Sequence, residues 1–503
     1  MVGNQKTPMK DMVVILPGIL GSVLQKDGKD LWNVSGQAVW QVVQNLAKRL
    51  QDLKLEGDDP DVEDLGDGIK ATSLMTDTHL IPGLWKIDGY TKPSQLITQN
   101  FQVTEGDIYN DPEETAANFY HFPYDWRRDN RADAKILKRL LAQRLKTWRE
   151  SSGNSNAKVI LLAHSMGGLV SRYYLEVLGG WQDCRALFTF GTPYRGSLNA
   201  VNILANGFPK GGIDLIKVLG MREIIDSLTS VYQLMPIYKV LQIGNESHRI
   251  AEVANLPNIS QEKAQDALAF HREIETAVNS NPQDSYATVP FVGVQQPTLQ
   301  SAELRNGKII VSNTLPIIMS GLTHLADGDG TVPQISAFPI EFSDRDILEI
   351  PSFIAESHGA IQNQSDILLN LLNKLQIAQS PSGTIQDIRG RGKEEVRAIK
   401  VTKGISLSLD DLYLNNEPIV ITARVNPDNS AVDRLKAKID CVSAEKPALN
   451  LDFEAQDNQW VLKQDDLTLE SGLYRITVQT DNTGEDVPNA VHNLFEVADR
   501  DYN

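Results

Sequence analysis

The stretch Ala163-His-Ser-Met-Gly-Gly168 constrains this chain more than any other. It follows a continuous apolar run, Lys158-Val-Ile-Leu-Leu-Ala163, and opens a helical pattern, Gly168 to Leu178, that Gly179-Gly180 closes. A serine between a buried strand and the next helix lies on a sharp turn, with its oxygen projecting from the sheet edge. The residues two before and two after it must be small, because strand and helix approach closely there. Ala163 and Gly167 meet that need, although Ala stands where Gly is usual. The competing reading is a tight turn with an inert buried serine. The strand before and the helix after favour a nucleophile elbow.

An elbow needs a mostly parallel sheet around it. Three further apolar runs read as strands buried on both faces: Met12-Val-Val-Ile-Leu16, Ala186-Leu-Phe-Thr-Phe190 and Val289-Pro-Phe-Val-Gly-Val294. Residues 133–150 form an amphipathic helix with Ile136, Leu140, Leu141, Leu145 and Trp148 on one face. Strands alternating with helices indicate the α/β class, here an α/β-hydrolase fold. Residues of about 26–119 and 199–284 interrupt the alternation and are expected to be helical cap or lid insertions. The first holds a helix near 38–53 and a loop, Ile81-Pro-Gly-Leu-Trp-Lys86. The second holds helical patterns near 213–228 and 261–277.

A helix over 366–377, with Ser365 as its N-cap, closes a catalytic domain at about residue 380. Residues 381–395 read as a linker. Beyond it, over 396–503, short β-rich runs recur near 419–425, 435–442, 449–453, 460–462, 473–478 and 494–497, which predicts a small all-β, Ig-like sandwich.

Composition removes several function classes. The chain has 503 residues and a net charge of −17, which excludes nucleic acid as a partner and electrostatic docking on anionic lipid. Two distant cysteines, Cys184 and Cys441, supply neither a disulfide scaffold nor a thiolate metal site. The N-terminal residues show no apolar leader, and the expected location is cytoplasmic, with peripheral membrane contact through the cap left open.

A serine is a weak nucleophile without a base, and this fold orders its triad Ser, acid, His along the chain. Downstream histidines are His248, His271, His324, His358 and His492. His248 and His271, in charged helix-like segments, read as surface residues. His492 falls in the C-terminal domain and His324 precedes the acidic turn. His358 remains, on a loop after an expected strand at 347–350. The acid comes from Ala326-Asp-Gly-Asp-Gly-Thr-Val-Pro333, with Asp329 preferred and Asp327 the runner-up. A calcium loop does not fit, for want of the closing glutamate and flanking helices. Two backbone N–H groups should stabilise the oxyanion, those of Met166 and of Ile19, with Leu20 a close neighbour. His164 and His121 read as structural. No metal or organic cofactor is required.

Seven blocks in order resemble the lecithin–cholesterol acyltransferase family. They are Ile15-Leu-Pro-Gly-Ile-Leu-Gly-Ser22, Phe122-Pro-Tyr-Asp-Trp-Arg127, Ala163 to Gly167, Phe190-Gly-Thr-Pro-Tyr-Arg-Gly-Ser197, Ser230-Val-Tyr-Gln-Leu-Met-Pro236, Asp329-Gly-Thr-Val-Pro333 and Ser357-His-Gly359. The resemblance spans about residues 12–375. It implies Ser165, Asp329 and His358 as a triad, an acyl-enzyme on glycerolipids, above all glycerophospholipid, and a lid that contacts lipid. The secreted animal members carry a disulfide near the lid; no cysteine precedes Cys184 here, so sterol acceptance is not implied. Hydrolysis of lipid esters is the leading expectation. A dedicated O-acyltransferase and a non-enzymatic binding protein on a hydrolase fold are the alternatives. The C-terminal domain is expected to bind a protein partner.

Overall fold

The structure is a computed structural model that describes residues 6–32, 50–75, 78–81, 85–210, 213–214, 217, 220–282, 285–342, 352–390, 403–414, 417–426, 432–457, 459–464, 469–481 and 487–498. A seven-stranded sheet, parallel throughout, forms its centre. Its strands are β1 (Met12–Leu16), β2 (Glu105–Asp107), β3 (Phe119–His121), β4 (Val159–His164), β5 (Cys184–Phe190), β6 (Ala287–Gly293) and β7 (Ser352–Ile354), in the spatial order β7-β6-β5-β4-β1-β3-β2. Every residue of β1, β4 and β6 is buried. Their alternate side chains feed two cores: Met12, Val14, Leu16, Leu161 and Ala163 on one face, Val13, Ile15, Ile160 and Leu162 on the other. The first face is covered by the helix Asn130–Ser152 through Leu137, Leu140, Leu141 and Leu145, and the second by the helix Ser365–Gln379 through Ile367, Leu371 and Leu375. Continuous apolar runs are what two covered faces demand.

Chain direction fixes where a site can form. After β1 the chain moves to β2 and β3 on one side; after β4 it moves to β5, β6 and β7 on the other. The carboxyl ends of β1 and β4, which are neighbours in register, therefore flank the switch point where open α/β sheets hold their ligands.

The insertions differ from expectation in kind. The segment over 26–119 is mostly β rather than helical: Ser22–Lys26, Lys29–Trp32 and Ile69–Leu74 form a three-stranded sheet, Thr78–Ile81 pairs with Trp85–Asp88, and Thr91–Asn100 is a helix. Its last part supplies β2 of the main sheet and leads into β3. The helix expected near 38–53 falls largely outside the described residues, apart from a 3-10 turn at Gln51–Leu53. The second insertion is mostly helical, with Leu198–Asn206, Arg222–Ser227, Thr229–Gln233 and Gln261–Ser280, although Ile213–Asp214 is a short strand rather than the start of a helix.

Two local expectations are corrected. The side chain that caps the helix starting at Ser365 is that of Gln364, which accepts from the amides of Asp366 at 2.6 Å and Ile367 at 3.0 Å; Ser365 is itself the first helical residue, so the capping position falls one residue earlier. Residues 385–389, within the expected linker, form a short helix that buries Ile388 and Arg389, the latter donating to the Tyr286 carbonyl. The strand expected at 347–350 lies outside the described residues, and β7 is the strand that precedes His358.

The C-terminal residues form two facing sheets. One pairs Gly404–Ser408, Ile419–Asn426, Gln459–Gln464 and Glu454–Gln456; the other, Leu412–Leu414, Val491–Ala498, Gly472–Thr480, Leu435–Cys441 and Leu449–Asp452. Ile405, Ile421, Ile439, Ile476 and Phe495 meet between them. This domain docks on the catalytic one: Gln296 bonds the backbone of Ile405 and Leu407, and Lys86 bridges Asp411 and Asn493. Cys184 is buried and Cys441 half-buried, both as free thiols. Among the described residues no helix is long and apolar enough to cross a membrane.

His271 is not on the surface. It sits on the buried face of Gln261–Ser280 with Ala264, Ala267 and Ile274, and its Nε2 donates to the Gln233 carbonyl at 2.7 Å. Burial lowers its pKa to about 4. The folded chain keeps this imidazole neutral where the unfolded chain, with a pKa near 6.5, takes up a proton. Stability is therefore lost as pH falls below about 6.5. His271→Gln, which keeps a donor but cannot titrate, should gain about 1–2 kcal/mol on the wild type between pH 7.5 and pH 5 in urea melts.

Candidate active site

Ser165 follows β4 directly and stands before the helix Met166–Arg172, with φ 50° and ψ −123°. That conformation is unfavourable for a residue with a side chain and persists only where the surroundings over-determine it. Here they do. The Ser165 amide donates to the Phe190 carbonyl at 2.9 Å, and the Ser165 carbonyl accepts from the Gly168 amide at 3.0 Å and from Thr192 Oγ1 at 2.9 Å. Gly167 lies so close to the end of β1 that a Cβ on it would fall 2.4 Å from the Pro17 carbonyl oxygen. Small residues around the serine are thus a steric requirement.

The three side chains singled out from the sequence meet at this point. His358 Nε2 is 2.9 Å from Ser165 Oγ, and His358 Nδ1 is 2.7 Å from Asp329 Oδ2. Asp329 is locked in turn: its Oδ1 accepts from the amides of Thr331 at 2.9 Å and Val332 at 2.7 Å, and its carbonyl accepts from the His358 amide at 2.8 Å. All three residues are almost wholly buried. Gly191, at φ 57°, backs the Asp329–His358 contact; a Cβ there would lie 2.8 Å from Asp329 Oδ2 and 3.0 Å from His358 Nδ1. Asp327 bonds elsewhere: it turns the chain at φ 65°, its carbonyl accepts from the Gln334 amide, and burial pushes its carboxyl up.

The turn after β1 lies over the serine. The Cβ position of Gly18 is 3.4 Å from Ser165 Oγ. The Gly18 amide is taken, since it donates to the Tyr90 hydroxyl at 2.8 Å. Ile19, expected from the sequence to supply one oxyanion donor, is buried next to Gly18, and Met166, expected to supply the other, starts the helix. Phe122 to Arg127 buttress this turn: Tyr124 donates to the Pro17 carbonyl at 2.8 Å and Trp126 Nε1 to the Ser22 carbonyl at 3.1 Å.

His164, read from the sequence as structural, and Tyr90, which the sequence did not single out, tie these parts together. His164 Nε2 is 3.0 Å from the His358 carbonyl, and its Nδ1 is 2.9 Å from the Tyr90 hydroxyl. A carbonyl can only accept, which assigns the ring proton to Nε2, so Nδ1 accepts from the hydroxyl. Burial first, and the neighbouring His358 second, depress the His164 pKa to about 3, which keeps it neutral in this tautomer. One chain of hydrogen bonds then runs from Gly18 through Tyr90 and His164 to the backbone of His358. His121, on β3, bonds Ser94 and stands outside it. No local signal distinguishes Tyr90 among the 13 tyrosines, because its partners lie 72 and 74 residues away.

A polar cavity of about 140 Å³ opens beside Asp329 and His358, walled by Thr331 and by Leu407, Leu409 and Asn493 of the C-terminal domain. A larger surface groove of about 810 Å³ runs along Gln261–Ser280 past Leu268 and Arg272. It contains none of the three side chains, whereas the smaller cavity is lined by Asp329 and His358 but not by Ser165. Among the described residues no cluster of His, Cys, Asp and Glu could hold a metal ion.

Parts of the chain are similar to known proteins. Residues 113–301 match the family profile of lecithin:cholesterol acyltransferase, which bears out the family resemblance over that part of the chain. A human lysosomal phospholipase A and acyltransferase is 30% identical over 120 residues, 23% of this chain and 27% of that protein, so the match spans about a quarter of the relative's length. Among solved structures, the Bacillus licheniformis lipase BlEst2 in its mature form aligns with 74% of this chain and 96% of its own, at 14% identity and a TM-score of 0.30. Its propeptide form aligns with 98% of this chain and 95% of its own, at 12% identity and the same TM-score.

Tyr90→Phe removes the acceptor of the Gly18 amide and the donor to His164, both buried. It should cost about 1–3 kcal/mol of stability in denaturant melts. An unchanged midpoint would mean that this chain of bonds has no structural weight.

Proposed function

We propose that this protein is a serine-dependent lipid acyl hydrolase that works through an acyl-enzyme on Ser165, with glycerophospholipid as its substrate class. The observation that carries the reading is the hydrogen-bonded line Ser165 Oγ, His358 Nε2, His358 Nδ1, Asp329 Oδ2, at 2.9 and 2.7 Å, on a strained elbow at the sheet's switch point. Ser165 Oγ attacks the ester carbonyl as His358 Nε2 takes its proton. Asp329 holds the ring and stabilises the imidazolium. The negative oxygen of the tetrahedral intermediate bonds the amides of Met166 and Ile19, fixed before reaction by the helix start and by the turn after β1. His358 then protonates the departing alcohol, the lysolipid. In the second half the same base activates water, which releases the fatty acid and regenerates Ser165.

The family profile and the name of the human relative favour transfer to an alcohol as a second outcome of the same acyl-enzyme. Burial of Ser165 and His358 supports it as well, because restricted water access prolongs the life of an acyl-serine. A non-enzymatic binding role is the reading that a complete triad geometry argues against. Action at the membrane surface through the insertions, and a cytoplasmic setting, belong to this proposal.

Ser165→Ala and His358→Ala should each lower hydrolysis of phosphatidylcholine vesicles and of p-nitrophenyl butyrate about 10⁴-fold or more, and together no further. Full activity in either variant removes the triad. Wild-type protein that neither turns over lipid nor reacts with a fluorophosphonate would favour the binding reading. Added short-chain alcohol separates the two outcomes, since a transferase yields alkyl ester at the expense of free fatty acid.

A further inference from the structure

The loop that carries His358 is held from three directions. Within the catalytic domain the His358 amide donates to the Asp329 carbonyl, and the His358 carbonyl accepts from His164 Nε2. The third hold comes from the strand Val491–Ala498 of the C-terminal sandwich. The His492 amide donates to Glu356 Oε1 at 2.9 Å, the His492 ring Nδ1 bonds Glu356 Oε2 at 2.8 Å, and Ser357 Oγ donates to the His492 carbonyl. Glu356 lies two residues before His358 and its side chain is 0% exposed. A carboxylate so far from water needs donors on both oxygens. Its Oε1 has two main-chain amides, those of His492 and, at 2.8 Å, Ser357. Its Oε2 has the imidazole of His492. The same strand is seated by Lys86 on Asn493, and its neighbour Gly472–Thr480 by Arg475 on Asp88. The domain contact is thus built around the base's loop.

We propose that His492 is a positioning residue for His358, acting through the buried Glu356 carboxylate, so that docking of the C-terminal domain and alignment of the catalytic base are one event. The proposal rests on His358 being that base. Without the ring donor, Glu356 Oε2 is left buried and unpaired. The carboxylate then turns or draws in water, and the peptide units of Ser357 and His358 move with it. His358 Nε2 must stay within hydrogen-bond reach of Ser165 Oγ, and a misplacement of about 1 Å at such a contact costs about 100-fold in rate. The C-terminal domain on this view belongs to the catalytic unit.

The test uses the full chain carrying His492→Ala, His492→Leu or His492→Asn. The first two lack the donor and the second keeps the bulk. Asn places its side-chain amide nitrogen where Nδ1 stood. On p-nitrophenyl butyrate the donor-less variants should lose about 10- to 100-fold in kcat with KM within about twofold, and label with fluorophosphonate correspondingly slowly. His492→Asn should restore both readouts. Wild-type kcat in a folded donor-less variant, or an Asn variant as slow as Leu, overturns the positioning role. So does failure of the donor-less variants to fold by circular dichroism, which would make His492 a stability residue. His358→Ala assayed alongside separates the two levels. If that variant stays active, the base assignment itself falls; if it is dead while His492→Leu is fully active, only the positioning role falls.

Discussion

A serine at φ 50° is the constraint around which the catalytic domain is arranged. Holding it there requires a buried strand that stops abruptly, a helix that starts at once, and a neighbouring strand end close enough to exclude any side chain at Gly167. The parallel sheet supplies all three, because β1 and β4 end side by side in register. The cost of the conformation, about 1–3 kcal/mol, is met by the bonds to Phe190, Gly168 and Thr192 and by the packing of two cores against β4. Relaxing the elbow would break those bonds first.

Electrostatics at the site is organised by a histidine that does not titrate near neutral pH. His164 is neutral because it is buried and beside His358, and its fixed tautomer gives it one donor and one acceptor pointing in opposite directions. It links the turn over the nucleophile to the backbone of the base without adding a charge that would oppose the imidazolium formed in reaction. A charged residue at position 164 would repel or trap that imidazolium. A small apolar one would leave the Tyr90 hydroxyl and the His358 carbonyl without their partner.

The parts of this structure that were legible in the sequence are those whose signal is local. β1, β4, β5 and β6 are predominantly apolar runs because both faces of the sheet are covered. Ser165 is marked by its small neighbours, and Asp329 and His358 by order and by loop chemistry; the structure brings exactly those three side chains into one line of hydrogen bonds, with Asp327 turned aside. β2 escaped because three residues are too few to show a period, and so it falls inside the expected first insertion. His271 was misjudged by its charged neighbours, although Ala264, Ala267, Phe270 and Ile274 beside it repeat at helical spacing and mark the buried face. Glu356 was in plain sight beside His358, but its partner is 136 residues away in another domain, and no pattern in a single sequence carries that distance.

Sequence separation has a further consequence, for the order in which the molecule takes shape. Ser165 and His358 are 193 residues apart, and the sheet that joins them is parallel, so no hairpin can bring its strands together early. Each pairing requires closure of a long loop, with its entropy lost before any contact is gained. The elbow, between β4 and its own helix, is local and can form among the first elements. The loop of His358 waits for β7 and then for the last strand of the sandwich. A refolding chain should therefore regain its secondary structure well before its serine becomes reactive, and the interval between the two is the time needed to bring the most distant segments home.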